Sequence, residues 1–341
     1  MRLLTTALLT ALLTLTAIAS PMKGDVKFTP SDNKNLAVVW TYDSQMDKKF
    51  FPFVKKDLST IGFYLNDPHH NVNTVYEQRG LGKSVLATLN FNSLFPEELI
   101  VPLIKKDPRI AAFSPFNLLM YRTIANPDET VVAHLTPEAM LDILQIEDPE
   151  IRTAFAKGFP AVDKMIDEKL GGKKSYAPLK GYAADTMMNI EIPFEDPEDI
   201  EDFMDEFQEK FEATFEHKGY IIAGYYNVKE SFNSDDDNMP GYVTFWSYDL
   251  CHIPFSYTIF DGKYAEPMAG IFAPCSMYVY VKEGENKIVI GMPTLAAWGA
   301  AMGITEKVQL DKMKGLDEEI TSILKSFGGV EVPNGNPLLR K

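Results

Sequence analysis

Cysteine is scarce in this chain of 341 residues. There are two, Cys251 and Cys275, and the whole first half has none. At most one disulfide is available, so the fold rests on ordinary hydrophobic cores and not on a covalent framework. Basic residues are also short: 33 Lys and Arg stand against 48 Asp and Glu, a formal net charge of −15. Such a chain repels phosphate backbones and anionic lipid surfaces, which excludes nucleic acid as a partner class. Beyond the first twenty residues no run is apolar enough to cross a bilayer, so no stable membrane insertion is expected once a leader is removed. No Gly-x-Ser-x-Gly elbow, phosphate-binding loop, zinc-protease motif or dinucleotide fingerprint occurs. Those absences leave the reaction class, if there is one, without a signature.

What the chain does have at its start is a leader. Met1-Arg2 is a short positive beginning, residues 3–18 are apolar or threonine, and Ala17-Ile18-Ala19 offers small residues at a signal-peptidase site. This predicts a signal peptide over residues 1–19, cleavage before Ser20, and export to the periplasm or beyond. The rest is long enough for two domains.

Internal repetition organises that remainder. Residues 112–121 read AFSPFNLLMY and residues 271–280 read IFAPCSMYVY. Each begins with Phe-small-Pro and runs into an apolar strand ending in Tyr. Around these motifs the pattern of apolar residues gives one order of elements twice. In the first half, strands are expected at 36–42, 62–66, 84–91, 117–123 and 130–135. A helix at 45–60 capped by Ser44, and a closing helix at 150–170 broken near 158–160, complete it. In the second half the strands are at 187–192, 220–228, 242–247, 276–281 and 287–292. The helices are at 196–217, opened by Asp196-Pro197, and at 311–327. Phe203, Phe207, Phe211 and Phe215 recur every fourth position and form a core stripe, with the acidic residues between them facing solvent. The resulting division is a first α+β repeat over 30–170, a Gly-Gly-Lys-Lys-Ser linker over 171–186, a second repeat over 187–327 and a loose tail over 328–341.

Site candidates are few. Cys251, His252 and Cys275 form a ligand set suited to copper or zinc, with no evident fourth ligand. In an exported chain Cys251 and Cys275 are expected to form one disulfide; a thiol pair with a redox or metal function and unpaired thiols are the alternatives. An aromatic group in the second half, including Tyr225, Tyr226, Tyr248, Phe255 and Tyr257, is either strand packing or the lining of a pocket for a small apolar or heterocyclic ligand. Tyr248 and Tyr257 join Cys251, His252 and Cys275 as the candidate ligand-binding residues. His69-His70, in a turn-like run, reads as a solvated pair, and His134 as a strand residue with its polar atoms satisfied.

Two segments then carry a resemblance. Cys251-His252-Ile253-Pro254-Phe255-Ser256-Tyr257, followed by Ala273-Pro274-Cys275-Ser276-Met277, resembles the domain of unknown function 302 family. That family's pattern is a Cys-Asn-Pro-like turn entering a helix, then a Pro-Cys-Asn opening a strand, a hairpin and a final helix. The second half is similar to it over residues 187–327, and the first half more loosely over 36–170. The resemblance implies a TATA-binding-protein-like α+β fold, a curved antiparallel sheet with two helices on one face. Since single-domain members form dimers, it also implies that this tandem chain packs as its own intrachain pseudo-dimer and is a monomer. Paired cysteines in intracellular members imply a role beyond a stabilising disulfide. The chain departs from the pattern at His252, where Asn is usual, and at Ile253, where Pro is common. In the first half Phe116 replaces Cys275, and counting back the same 24 positions reaches Asn92. The expected function is a non-enzymatic exported binding or accessory protein with a ligand or metal near Cys251 and Cys275. The alternatives are a thiol-based redox or sulfur-handling enzyme and a structural module held by one disulfide.

Overall fold

A computed structural model describes residues 29–231 and 236–340. The expected signal peptide lies outside the described residues. The first sheet is built from β1 (Asn35–Tyr42), β2 (Tyr64–His69), β3 (Leu86–Phe95), β4 (Phe116–Asn117), β5 (Leu119–Thr123), β6 (Thr130–Leu135) and β7 (Lys173–Pro178). Its order is β2-β3-β5-β6-β1-β7, with β4 paired to β3. Six helices belong to this half among the described residues: α1 (Asp47–Pro52), α2 (Asn73–Gln78), α3 (Glu97–Ile104), α4 (Pro137–Ile143), α5 (Pro149–Ala156) and α6 (Phe159–Lys169). The second half contains β8 (Met187–Pro193), α7 (Ile200–His217), β9 (Ile221–Asn227), β10 (Tyr242–Cys251), α8 (Ile253–Phe260), β11 (Cys275–Lys282), β12 (Lys287–Pro293), α9 (Leu295–Met302), α10 (Lys307–Ser326) and β13 (Val330–Glu331). Its sheet runs β13-β8-β12-β11-β10-β9. All strand pairs are antiparallel, so the expected α+β class is what the chain adopts.

Read from the β2 and β9 edges, the two orders correspond strand for strand. The correspondence extends to single residues. Leu94 faces Phe116 in the first sheet and Leu250 faces Cys275 in the second. Thr136 caps α4 by accepting from Ala139 N (3.2 Å), and Thr294 caps α9 by accepting from Ala297 N (3.1 Å). The same number of residues later, Gln145 and Gly303 adopt left-handed backbone, with φ of 55° and 71°. The peptides before Pro115 and Pro274 are both cis.

Helix α7 shows why the pattern was readable. Phe207, Phe211 and Phe215 are buried against the sheet, while Phe203 sits at the margin on Phe194 with ring centroids 4.7 Å apart. Burying each of the three contributes about 2 kcal/mol. The helix starts later than expected because Asp199, not Asp196, caps it, accepting from Glu201 N and Asp202 N at 2.9 and 3.2 Å. The expected helix over 45–60 is α1 continued by a π turn (Phe53–Asp57) and a 3-10 turn (Leu58–Ile61). Pro52 lacks the N–H that a regular ladder would use, and the hydrogen-bond spacing changes there. Ser44 does not cap it; its carbonyl instead accepts from Thr130 Oγ1 (2.7 Å).

Two stretches without expected structure join the sheets. The linker contains β7, an edge strand on β1 in which Val38 faces Tyr176. Lys174 lies over the Trp40 ring (5.1 Å) and pairs with Asp163 (2.9 Å), so its charge protects an edge while its stem covers apolar surface. In the tail, Val330–Glu331 adds β13 to β8.

The halves pack reciprocally. The 3-10 turn Pro108–Phe113 lies on β11 and β12, and its counterpart Pro267–Phe272 lies on β5 and β6. Asn117 Nδ2 donates to Gly270 O (2.6 Å) at this contact. The edge strands β2 and β9 also adjoin, where His69 Nε2 donates to Ala223 O (2.5 Å).

Candidate ligand site

The meeting of the β2 and β9 edges leaves a cavity of about 270 Å³ beside the two cysteines. The first half supplies Pro68, His69 and His70 from the end of β2, with Val75 and Phe91 behind them. The second supplies Cys251 at the end of β10, Cys275 at the start of β11, and Phe255, Phe260 and Trp298 from its helices. The walls are mainly apolar and aromatic, and no carboxylate lines them.

The local sequence explains these positions. β10 stops where His252 turns the chain into α8, and His252 Nδ1 accepts from Phe255 N (3.2 Å) as the helix cap. That bond requires an unprotonated Nδ1. Burial lowers the His252 pKa, and Lys312 nearby lowers it further. Ser256, one turn on, is held by Tyr76 of the first half at 2.5 Å between hydroxyl oxygens. His70 stacks on Phe51 with centroids 4.0 Å apart, and burial lowers its pKa too. The histidines therefore favour the neutral form at pH 7 wherever a shift is resolved.

The thiols are free, so the expected disulfide is not formed. The register gives the reason. Cys275 faces Leu250, while Cys251 sits one step further along β10 and faces Ile221 on the other side. The two cysteines are therefore not direct cross-strand partners in the ladder. Burial pushes the Cys251 thiol up to about 11 and the Cys275 thiol well above its usual range, the latter also because a thiolate at Cys251 would repel it. Both are protonated at neutral pH and are poor nucleophiles.

Nor is the metal set assembled. Among the described residues no group of three or more His, Cys, Asp or Glu side chains is placed to share an ion. His252 lines the cavity with the cysteines, but its Nδ1 is committed to the helix cap. Tyr248 and Tyr257 lie outside the lining. Tyr248 is buried under α7, donating to Glu212 Oε1 (2.8 Å) and packing on Phe211 (5.2 Å). Tyr257 packs edge-on against Tyr76 (5.7 Å) and over Gly82. Of the aromatic group, only Phe255 reaches the cavity.

His69 and His70 both line the cavity; His69 is half-buried, contrary to its reading as solvated, while His70 is exposed as that reading expects. Their turn-like sequence hid this, because the wall they form exists only where the two halves meet. His134 behaves as expected: Nε2 bonds Asp163 (2.9 Å), Nδ1 approaches Leu135 O (2.8 Å), and the residue is fully buried.

Beside the corresponding residues of the first half there is a much smaller hollow, about 10 Å³, against Phe116 and Pro115. The register makes Phe95, not Asn92, the counterpart of Cys251, and Phe116 that of Cys275. Phe95 packs tilted against Tyr226 (4.1 Å), and Phe116 packs against Phe63 (5.7 Å) and Phe159 (5.1 Å). Pro96 stands for His252 and Ile100 for Ser256 at the aligned starts of α3 and α8.

No family model matches this chain, and no curated protein does. Among solved structures it is similar to an uncharacterized conserved protein of the domain of unknown function 302 family from Bacillus stearothermophilus. The two share 15% identity with a TM-score of 0.33, over 41% of this chain and 96% of the other. Among the described residues no helix is long and apolar enough to cross a membrane.

Proposed function

We propose that this is an exported, non-enzymatic binding protein whose ligand is a small, largely apolar molecule held in the cavity beside Cys251 and Cys275. The observation that carries the reading is the cavity itself: about 270 Å³, walled by both halves, with a few polar groups among aromatic side chains. That is the composition of a small-molecule site at a domain junction, a little below the usual volume of about 300–1,000 Å³. The reading takes the chain as a tandem repeat of units of the domain of unknown function 302 type, packed as an intrachain pseudo-dimer and therefore monomeric. Its support is the Phe-small-Pro motif in both halves, the matching strand orders and the reciprocal packing of the two 3-10 turns. Export rests on the leader sequence alone. A thiol-based enzyme is the weaker reading, because burial keeps both thiols protonated.

Naphthalene, a neutral two-ring probe, tests this by equilibrium dialysis. The wild-type protein is expected to bind one equivalent. The double variant Cys251→Phe, Cys275→Phe, carrying the residues that stand at these positions in the first half, is expected to bind at least tenfold more weakly while keeping its far-ultraviolet circular dichroism. Absence of naphthalene binding to the wild type, or equal binding to the filled variant, overturns the reading.

A further inference from the structure

The cavity wall carries no formal charge. Among the described residues, no Asp, Glu, Lys or Arg belongs to it. The wall reaches the surface at Pro68 and His70, both exposed, where a charged side chain would cost little. What polarity it has comes from imidazoles, thiols and Ser256, whose hydroxyl is already held by Tyr76. Burial keeps both thiols protonated. The cap bond accepted at Nδ1 needs His252 in its neutral form.

The nearest carboxylates are committed elsewhere. Asp249 is held by Ser276 and Ser93 (2.7 and 3.1 Å). Asp317 accepts from Leu295 N and Ala296 N (2.8 and 3.0 Å), and Glu319 accepts from the Tyr220 hydroxyl (3.1 Å). Arg79 and Lys312 act on Cys251 and His252 through space, and neither belongs to the wall. The aromatic side chains do not replace a counter-ion. Ring faces attract a cation only modestly, and here the rings pack on one another. Trp298 stacks on Phe272 (5.3 Å) and meets Phe255 (6.2 Å), while Phe260 packs edge-on with Phe91 (5.7 Å).

We infer that the cavity selects its ligand by charge, taking a small ring compound in its uncharged form, with an amide, lactam or hydroxyl group in place of a carboxylate or a quaternary amine. This rests on the cavity being the binding site and adds the rule by which that site discriminates. An ion entering it gives up hydration that nothing on the wall replaces. A neutral polar edge gives up far less, and imidazoles and thiols can exchange hydrogen bonds with it.

Two pairs of probes separate charge from shape. Quinolizinium is naphthalene with a cationic nitrogen at the ring junction, and 2-naphthoate is the ionised counterpart of 2-naphthamide. Equilibrium dialysis at pH 8, above the usual imidazole range, is the assay. Quinolizinium is expected to bind the wild type at least about a hundredfold more weakly than naphthalene. 2-Naphthoate, whose charge can stay nearer the mouth, is expected to bind at least about tenfold more weakly than 2-naphthamide. Val75→Glu adds a carboxylate at a half-buried place on the wall. It is expected to narrow the preference for naphthalene over quinolizinium by about tenfold or more, with far-ultraviolet circular dichroism unchanged. Should that variant not fold, the two wild-type comparisons decide alone. Quinolizinium binding as tightly as naphthalene, or 2-naphthoate as tightly as 2-naphthamide, overturns the inference and leaves the cavity reading standing. An unchanged preference in folded Val75→Glu overturns the attribution to the uncharged wall. If naphthalene and 2-naphthamide also fail to bind, the inference falls together with the reading beneath it.

Discussion

Asp249 gives the sharpest test of how the halves are joined. Its carboxyl is wholly buried on β10, where Ser276 Oγ donates to Oδ1 (2.7 Å) and Ser93 Oγ, from the other half, donates to Oδ2 (3.1 Å). Burial raises its pKa from 3.8 to about 6, against the opposing pull of the two serines and of His69, with Asp67 adding to the rise. The native state therefore binds this proton more tightly than the unfolded chain does. The linked stability is fully present below about pH 4 and is lost as the pH climbs through about 6. A difference of roughly two pKa units at about 1.4 kcal/mol each puts the loss at about 3 kcal/mol.

The variant Asp249→Asn removes the titration and keeps the shape. Its Oδ1 still accepts from Ser276, and its Nδ2 can donate to Ser93 Oγ, since a hydroxyl both gives and receives. Urea unfolding of wild type and variant at pH 4 and at pH 7.5 is the assay. Other carboxylates contribute to both proteins and cancel in the difference. Between the two pH values the variant is expected to gain about 3 kcal/mol relative to wild type. A difference that does not change with pH would mean that the carboxyl is not desolvated as the structure places it, and the account of this junction would fall.

Two further outcomes are expected. With a thiol pKa near 11 at Cys251 and a higher one at Cys275, a disulfide reagent at pH 8 is expected to label the native protein roughly a hundredfold more slowly than a free cysteine, with two equivalents released on unfolding; rapid native labelling, or one thiol or none in denaturant, would contradict it. Thr294→Ala, which removes the cap bond to Ala297 N, is expected to cost about 1 kcal/mol of unfolding free energy, most of it restored in Thr294→Ser; a loss common to both variants would place the effect elsewhere.

Some of this was legible and some was not, for definite reasons. The phenylalanine stripe of α7 is periodic because one helix face meets one sheet, so the sequence carries the period openly. The Phe-small-Pro motif stands at the entry to the same strand in both halves because the same turn precedes it. Helices α2, α3, α4 and α9 run for six to eight residues, too few turns for a period to emerge. β7 is an edge strand whose lysines protect it, and that composition reads as a linker. The cavity was hidden most deeply, since Pro68, His69 and His70 become its wall only through packing against a strand about 150 residues away in sequence.

The counterpart of Cys251 shows where counting fails and register succeeds. The cysteines are 24 positions apart, and subtracting that interval from Phe116 reaches Asn92. The ladders instead equate Leu94 with Leu250, so the true interval in the first half is 21, from Phe95 to Phe116. The extra residues lie between α8 and the following 3-10 turn, away from the strands. The consequence is more than bookkeeping. With Phe95 as the counterpart, these residues of the cavity's second-half wall correspond to apolar ones in the first: Cys251 to Phe95, His252 to Pro96, Ser256 to Ile100, Cys275 to Phe116 and Trp298 to Met140. At those two positions the first half packs aromatic rings, Phe95 on Tyr226 and Phe116 on Phe159. The first half thus puts ring packing where the second puts thiols, and the larger cavity, about 270 Å³, lies on the side of the free cysteines.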